Sequence, residues 1–525
     1  MYVQRLKKKV KDKTYHSVLL RENYRENGKI LHRTIANLSK WSEEAIAGLE
    51  AGIKGKTITS VDELDFSQGS SFGAIAVVDM IAKKLGITKA LGNSMNRKLA
   101  LFQIAGRLIC HGSRNYMATE WSKLQEIGSV FGDLQLDNRK LYDNLDWLAK
   151  HQRKIEKKIL NYRKNSFDSI YLYDVTSSYF EGQKNELASY GYNRDKKKGK
   201  KQIVIGLMTD SDGYPVTVEV FKGNTSDTTT VSSQLSKLCE DFGVKRVVFV
   251  GDKGMIKTTQ VNEIEGDFNW GYITTITKSQ IKSLLKTGFI QLSFFDEDLY
   301  DIQHADGTRY VLRRNPRRKT ELRIARQKKI SSCLLKIEKI NEYLEAHDRA
   351  KTKIALRKIN EFIKKLKLSK VCKIKCSKRV IELVVNETKL KEVEELDGCY
   401  VMKTNVPKEE LAASKVHDRY KSLSLVESAF RTIKTTLEEI RPIYVRKESR
   451  TRGHVFVCSL AYMIAKFIRD KTKHLEYSTE FIFNSLNNIQ TMSYKWKGEK
   501  IKILPSEYTF EQQQILDSLE LRLTM

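Results

Sequence analysis

Residues 170–180 read IYLYDVTSSYF, a near-continuous apolar run with one carboxylate, Asp174, inside it. A run of this length, rich in aromatic and β-branched residues, is the signature of a strand buried in a sheet. Burying a carboxylate without a partner costs several kcal/mol, so Asp174 is the informative anomaly.

The pattern continues downstream. Residues 202–223, QIVIGLMTDSDGYPVTVEVFKG, are two strands joined by a tight polar turn at Asp210 to Gly213. A helical stretch runs from about Thr228 to Phe242. Then RVVFVGDKGM at 246–255 is another buried strand, which ends in Asp252 between Gly251 and Gly254. A further helix and the strand WGYITTI at 270–276 follow. Hairpin-linked strands followed by a helical crossover to a parallel strand make a mixed α/β sheet. Asp174 and Asp252 lie 78 residues apart, room for the elements that would set their strands side by side. Taken alone, an Asp at a strand end is ordinarily a turn or helix cap, and for Asp252 that plain reading has the better claim.

The third carboxylate is Glu427, in DRYKSLSLVESAFRTIKTTLEEIRPI at 418–443. On one helix at about 100° per residue, Tyr420, Glu427, Arg431 and Lys434 share a sector of roughly 60°. Val426, Phe430, Ile433 and Leu437 form an apolar stripe beside it, suited to lie on the sheet. A solvated helix face can mix charges in this way too. Together the three acids fit a chemistry: two divalent ions can activate a water or 3′-hydroxyl and stabilise the leaving oxygen of a phosphoryl displacement. Mg²⁺ takes oxygen ligands and keeps several waters, so two or three carboxylates and a phosphate suffice, with Mn²⁺ as a substitute. Asp174 would bridge both ions while Asp252 and Glu427 each complete one. Tyr420, Arg431 and Lys434 would hold the DNA backbone.

The rest of the chain sets the context. With 525 residues it is long enough for roughly three or four domains. Its 94 Lys and Arg against 64 Asp and Glu give a formal charge of +30, a field that concentrates polyanions, nucleic acid first. The start, MYVQRLKKKVKDK, lacks the apolar stretch of a signal peptide, and the longest apolar run, Val455 to Ile468, is too short to span a bilayer. Seven irregularly spaced cysteines fit a reducing cytoplasm, and Cys372 with Cys376 lacks the second pair of a zinc site. Residues 14–38 read as a β-hairpin turning at Asn27-Gly28. From about Phe72 to Tyr162 the pattern is helical and punctuated by Arg97, Lys98, Arg107, Arg114 and Lys123, as in a small DNA-gripping domain or any solvated bundle. After a weak β region, RRNPRRK at 313–319 leads into two charged helices with seams Cys333, Ile337, Ile340, Leu344 and Ile359, Ile363, Leu366. These form a helical hairpin, read as a structural or interaction arm.

The segments YDVTSSYFEG, GYNRDKKKGKKQIVIGLMTDSDGYPVTVEVFKGNTSD, VGDKGM and VESAFRTIKTTLEEIRPIYVRKESRTRGHVFVCSLAYMI, in that order, resemble bacterial insertion-sequence DDE transposases. The similar group carries a large insertion before the catalytic Glu and a Tyr-Arg-Glu-Lys signature around it. The resemblance extends over most of the chain, from the N-terminal hairpin to QQQILDSLEL. It implies an RNase H-like core and a homodimeric complex pairing two transposon ends. It also implies Mg²⁺-dependent end cleavage and attack of the 3′-hydroxyls on target double-stranded DNA. By motif position the catalytic, metal-holding acids are Asp174, Asp252 and Glu427. The expected organisation is a β-hairpin region at 1–65, a helical DNA-binding domain at 66–165 and a first core part at 166–277. An insertion with a helical hairpin follows at 278–406, then a second core part at 407–473 and a tail at 474–525. Tyr420, Glu427 and Lys434 fit the signature, whereas Leu423 stands at its Arg position. The expectation is one intact helix in which Leu423 extends the buried face and Arg431, in preference to Arg419, replaces the missing guanidinium. Two other readings remain: a catalytically silent DNA-binding descendant of a transposase, and an RNase H-like nuclease that cuts without joining.

Overall fold

The apolar run around Asp174 lies inside an eight-stranded sheet. The computed structural model describes residues 1–10, 13–56, 66–163, 170–182, 184–192, 194, 195, 197, 199–435, 444–496 and 499–525. They form two units: residues 1–70, 490–507 and 524–525 in one, and residues 71–489 and 508–523 in the other.

In the first unit the expected hairpin is present. Lys13–Glu26 and Lys29–Asn37 pair antiparallel, and Asn27 and Gly28 turn the chain with φ of 49° and 78°. Two successive positive φ angles give the twist a two-residue hairpin needs. The basic start is more than a lead-in, because Tyr2–Val10 adds a third strand along Lys13–Glu26. Gln490–Trp496 pairs with Glu499–Ile503 and with Phe66–Ser71, so this unit is closed by sequence from both ends of the chain.

The second unit holds the large sheet: β1 (Ile170–Tyr179), β2 (Gln202–Thr209), β3 (Pro215–Lys222), β4 (Val248–Gly251), β5 (Gly271–Thr275), β6 (Tyr300–Gln303), β7 (Arg309–Arg314) and β8 (Cys399–Thr404). From edge to edge they run β3, β2, β1, β4, β5, β8, β7, β6. β1, β2 and β3 are antiparallel neighbours, and β4 and β5 lie parallel to β1. The turn between β2 and β3 is the polar one read from the sequence: Asp210 Oδ1 accepts from the amides of Asp212 and Tyr214, and Gly213 takes φ +84°. Strands β6, β7 and β8 come from the segment 278–406 and extend this same sheet beyond β5, because β8 pairs antiparallel with β5. The weak β region before RRNPRRK is therefore sheet edge.

Six helices position the site or brace it: α1 (Asn138–Arg163), α2 (Pro316–Ala346), α3 (Thr352–Lys365), α4 (Ala413–Lys421), α5 (Leu423–Thr435) and α6 (Glu448–Lys471). The α2–α3 hairpin closes on the expected seam, with Cys333, Ile337 and Leu344 buried against Ala355, Ile359 and Ile363. None of the seven cysteines is in a disulfide. The apolar run Val455 to Ile468 becomes the buried α6, and no described helix is long and apolar enough to cross a membrane. α6 crosses α1 at Gly453, where a Cβ would stand 2.2 Å from the Leu145 carbonyl oxygen, so only glycine permits the approach. Among the basic residues expected to face DNA, Arg107 is instead 7% exposed. It bonds the Gly112 carbonyl and Met117 Sδ. Arg114 bonds Gln103 and His454, so both cations brace the helices.

Candidate active site

Strand register brings the two aspartates together. In the parallel β1–β4 pair Tyr173 stands opposite Gly251, so Asp174 and Asp252 each follow directly on paired residues. Asp252 has left the strand. Its carbonyl accepts from the amides of Met255 and Ile256, closing the turn that the glycines around it allow. Glu427 sits on α5, whose stripe Val426, Ala429, Phe430 and Ile433 is buried and which packs on β1. Leu437, the last residue of the expected stripe, lies outside the described residues. Asp174, Asp252 and Glu427 line one cleft of about 500 Å³.

The electrostatics show how the three acids act on each other. Burial pushes the Asp174 carboxyl up to about 7, and the charges of Glu427 and Asp252 add to the rise. The Val175 amide, donating to Asp174 Oδ1 at 2.8 Å, and the Arg194 guanidinium hold it back. The Tyr420 hydroxyl is 3.0 Å from Thr275 Oγ1 and 3.4 Å from Asp252 Oδ1. Burial and the neighbouring carboxylates push it up to about 12, so it stays a donor at neutral pH. Among the described residues no three His, Cys, Asp or Glu side chains form a ready-made metal cluster. The donor set still suits a hard cation: all three acids offer only oxygen, and Asp174 carries a charge its surroundings disfavour.

The stability consequence has a definite sign. An acid whose folded pKa is raised contributes stability that is present below its unfolded value, near 4, and lost as pH rises through about 7. In metal-free protein, Asp174→Asn should therefore gain melting temperature over wild type as pH rises from about 4 to above 7. A difference that stays flat across that range would show that Asp174 is not strained as an anion.

Several expectations need correction. The single helix through Glu427 is two helices that part at Ser422, where the amide still closes an ordinary helical bond to the Asp418 carbonyl and the hydroxyl bonds the same oxygen. The next bond, Leu425 N–H to Ser422 O, spans only three residues. A continuous wheel from Tyr420 to Lys434 therefore does not apply, although Tyr420 still reaches the acids. Leu423 lines the cleft, half-buried, and does not simply extend the buried face. Arg431 is exposed on α5 and Arg419 half-buried on α4, and the described cleft lining includes neither. Lys434 points at β1: its ammonium bonds Thr176 Oγ1 at 2.6 Å, the Ser177 carbonyl, and Asp195 at 3.2 Å. It fastens α5 to the strand that carries Asp174. Sequence reasoning missed Asn315, Tyr400 and Lys421, which also line the cleft. Lys421 adjoins Tyr420 and was within reach of inspection. No local pattern announces Asn315 or Tyr400, which arrive from a distant segment.

The comparisons fit this geometry. The family model described as the transposase DDE domain matches residues 165–464, more than half of the chain, and the chain belongs to that family. The N-terminal domain of the IS1634 family transposases matches residues 3–62, so this is an insertion-sequence DDE transposase, a DNA-binding protein of recombination. Among solved structures the chain is similar to a cryo-EM structure of the piggyBac transposase synaptic complex with hairpin DNA. The two are 9% identical with a TM-score of 0.36, over 78% of this chain and 76% of that one, a likeness too distant to bear on mechanism. No curated protein matches.

Proposed function

We propose that the protein binds the ends of its insertion sequence, cleaves them by metal-dependent phosphoryl transfer and joins the 3′ ends to target DNA. The observation that carries this reading is the meeting of Asp174, Asp252 and Glu427 in one cleft, with Asp174 destabilised as an anion by burial and by the other two. These three residues would hold two Mg²⁺ ions, or Mn²⁺, which when bound activate the attacking oxygen and stabilise the leaving one. The other roles belong to the chain. Tyr420 orients the Asp252 carboxylate through its hydroxyl, and Lys434 fixes the helix of Glu427 to the strand of Asp174. The strand order β3, β2, β1, β4, β5 supports an RNase H-like core, within which residues 278–406 would be the insertion and 407–473 the second core part. The seven irregularly spaced cysteines fit action in the cytoplasm, and two copies would pair the two ends.

Full-length protein with plasmid carrying the two ends should nick them only with Mg²⁺ or Mn²⁺, then insert the ends into a second plasmid. Cleavage without insertion would reduce the protein to a nuclease. Binding without cleavage would make it a silent DNA-binding relative. We place end recognition in residues 66–165, where Lys123 is exposed and Arg97 and Lys98 are half-buried. Substituting these three in the full chain should narrow the gap in affinity between end DNA and random DNA. An unchanged gap would move recognition elsewhere.

A further inference from the structure

The cleft presents a charge problem. Its described lining includes three acids and a single cation, Lys421, yet under the function proposed above a polyanion must enter it. Lys421 ends α4, one residue after Tyr420, and is exposed. The cleft is also lined by Asn315 and Tyr400, both from the segment 278–406 read from sequence as an insertion. Asn315 Oδ1 accepts from the Arg318 amide at 3.0 Å and so caps α2, which leaves its NH₂ group as the half it can offer a ligand. The Tyr400 hydroxyl lies 2.8 Å from His417 Nε2, and Arg313 Nη1 lies 2.8 Å from the same nitrogen. These contacts pin the Tyr400 phenol against the His417 ring. Just past Asn315, Arg317 and Arg318 have side chains 90% and 60% exposed and share one acid, Glu321. Two arginines against one acid leave positive charge in excess close to Asn315 in the chain.

We propose that Lys421, with Asn315 and the pinned Tyr400, forms a subsite for a DNA phosphodiester next to the scissile one, and that Arg317 and Arg318 extend it along the backbone. The cation neutralises the phosphate, the Asn315 amide donates to a non-bridging oxygen, and the Tyr400 ring limits where the sugar can lie. Lys421 is a positioning residue: it holds the strand in register with the acids and takes no part in bond making. The inference rests on DNA entering this cleft.

The test uses the full-length protein, end DNA, and end DNA with a neutral methylphosphonate placed singly at each phosphate around the cut. Lys421→Gln should slow cleavage by ~10–100-fold at saturating DNA, with Lys421→Arg restoring most of it. The slope of log affinity against log salt should fall by about 0.9 in the Gln variant. At one methylphosphonate position wild type should drop to the level of Lys421→Gln, while the variant loses nothing more. A variant with wild-type rate and wild-type salt slope overturns the subsite, as do losses that multiply at every position. If wild-type protein does not cleave at all, the DNA-cutting reading fails instead, and the salt slope still decides the phosphate contact.

Discussion

Asp174→Ala is expected to slow end cleavage by at least ~1,000-fold, equivalent to about 4 kcal/mol in the barrier, while end DNA still binds. The residue sits in a strand between β2 and β4, so its place is set by sheet register and no neighbouring acid can move into it. Asp174→Asn should fare little better despite equal volume, because a neutral amide would be a far poorer ligand than a carboxylate for the cations the proposed function calls for. Asp252→Ala and Glu427→Ala should show losses of the same order. Asp252→Ala also removes the acceptor of the Tyr420 hydroxyl. Binding should hold or tighten in all three, since each change deletes a negative charge from a cleft that, under the proposed function, receives phosphate. Gel-shift and cleavage assays on the same preparations decide the matter. Loss of binding in parallel with cleavage would assign these acids a structural role.

Glu156→Ala should destabilise the fold by about 3–5 kcal/mol, far more than an ordinary surface change. Glu156 and Lys237 form an ion pair at 2.7 Å with side chains only 4% and 3% exposed. The carboxylate also accepts from Gln152 on its own helix α1, and from Thr217 and the Val218 amide on β3. Deleting it leaves a buried ammonium to Thr217 and, at 3.5 Å, Glu219. Burial pushes the Glu156 carboxyl above its ordinary range despite the opposing pull of Lys237, so desolvation outweighs the pairing. The pair therefore fixes where α1 docks on β3 and adds little net stability. It follows that Glu156→Leu with Lys237→Met should recover most of the loss, as measured by denaturant midpoint. A double variant as unstable as Glu156→Ala would show that the pair itself carries the energy.

Sequence patterning and tertiary structure contributed differently at different residues. The strands around Asp174 and Asp252, the Asn27-Gly28 turn, the α2–α3 seam and the buried stripe of α5 were legible, because period and turn chemistry are local properties. The strand Tyr2–Val10 was not, since its three lysines and one arginine among few apolar residues leave none of the alternation that marks a half-buried strand. Arg107 and Arg114 looked like a DNA-facing pattern and turned out to be internal braces. Charge in a sequence says nothing of which partner satisfies it.

By itself the sequence determined the family and the mixed α/β character of the core, and it singled out the three acids proposed for the site, all from short-range pattern and motif order. Only the tertiary structure decided that α4 and α5 break at Ser422, that Lys434 serves β1, and that Lys421, Asn315 and Tyr400 share the cleft with the acids. The arrival of Asn315 and Tyr400 depends on β7 and β8 joining the sheet beyond β5 and so carrying part of the segment 278–406 to the cleft. Strand pairing between distant segments is set by the packing of the whole sheet, and no local stretch of sequence contains it.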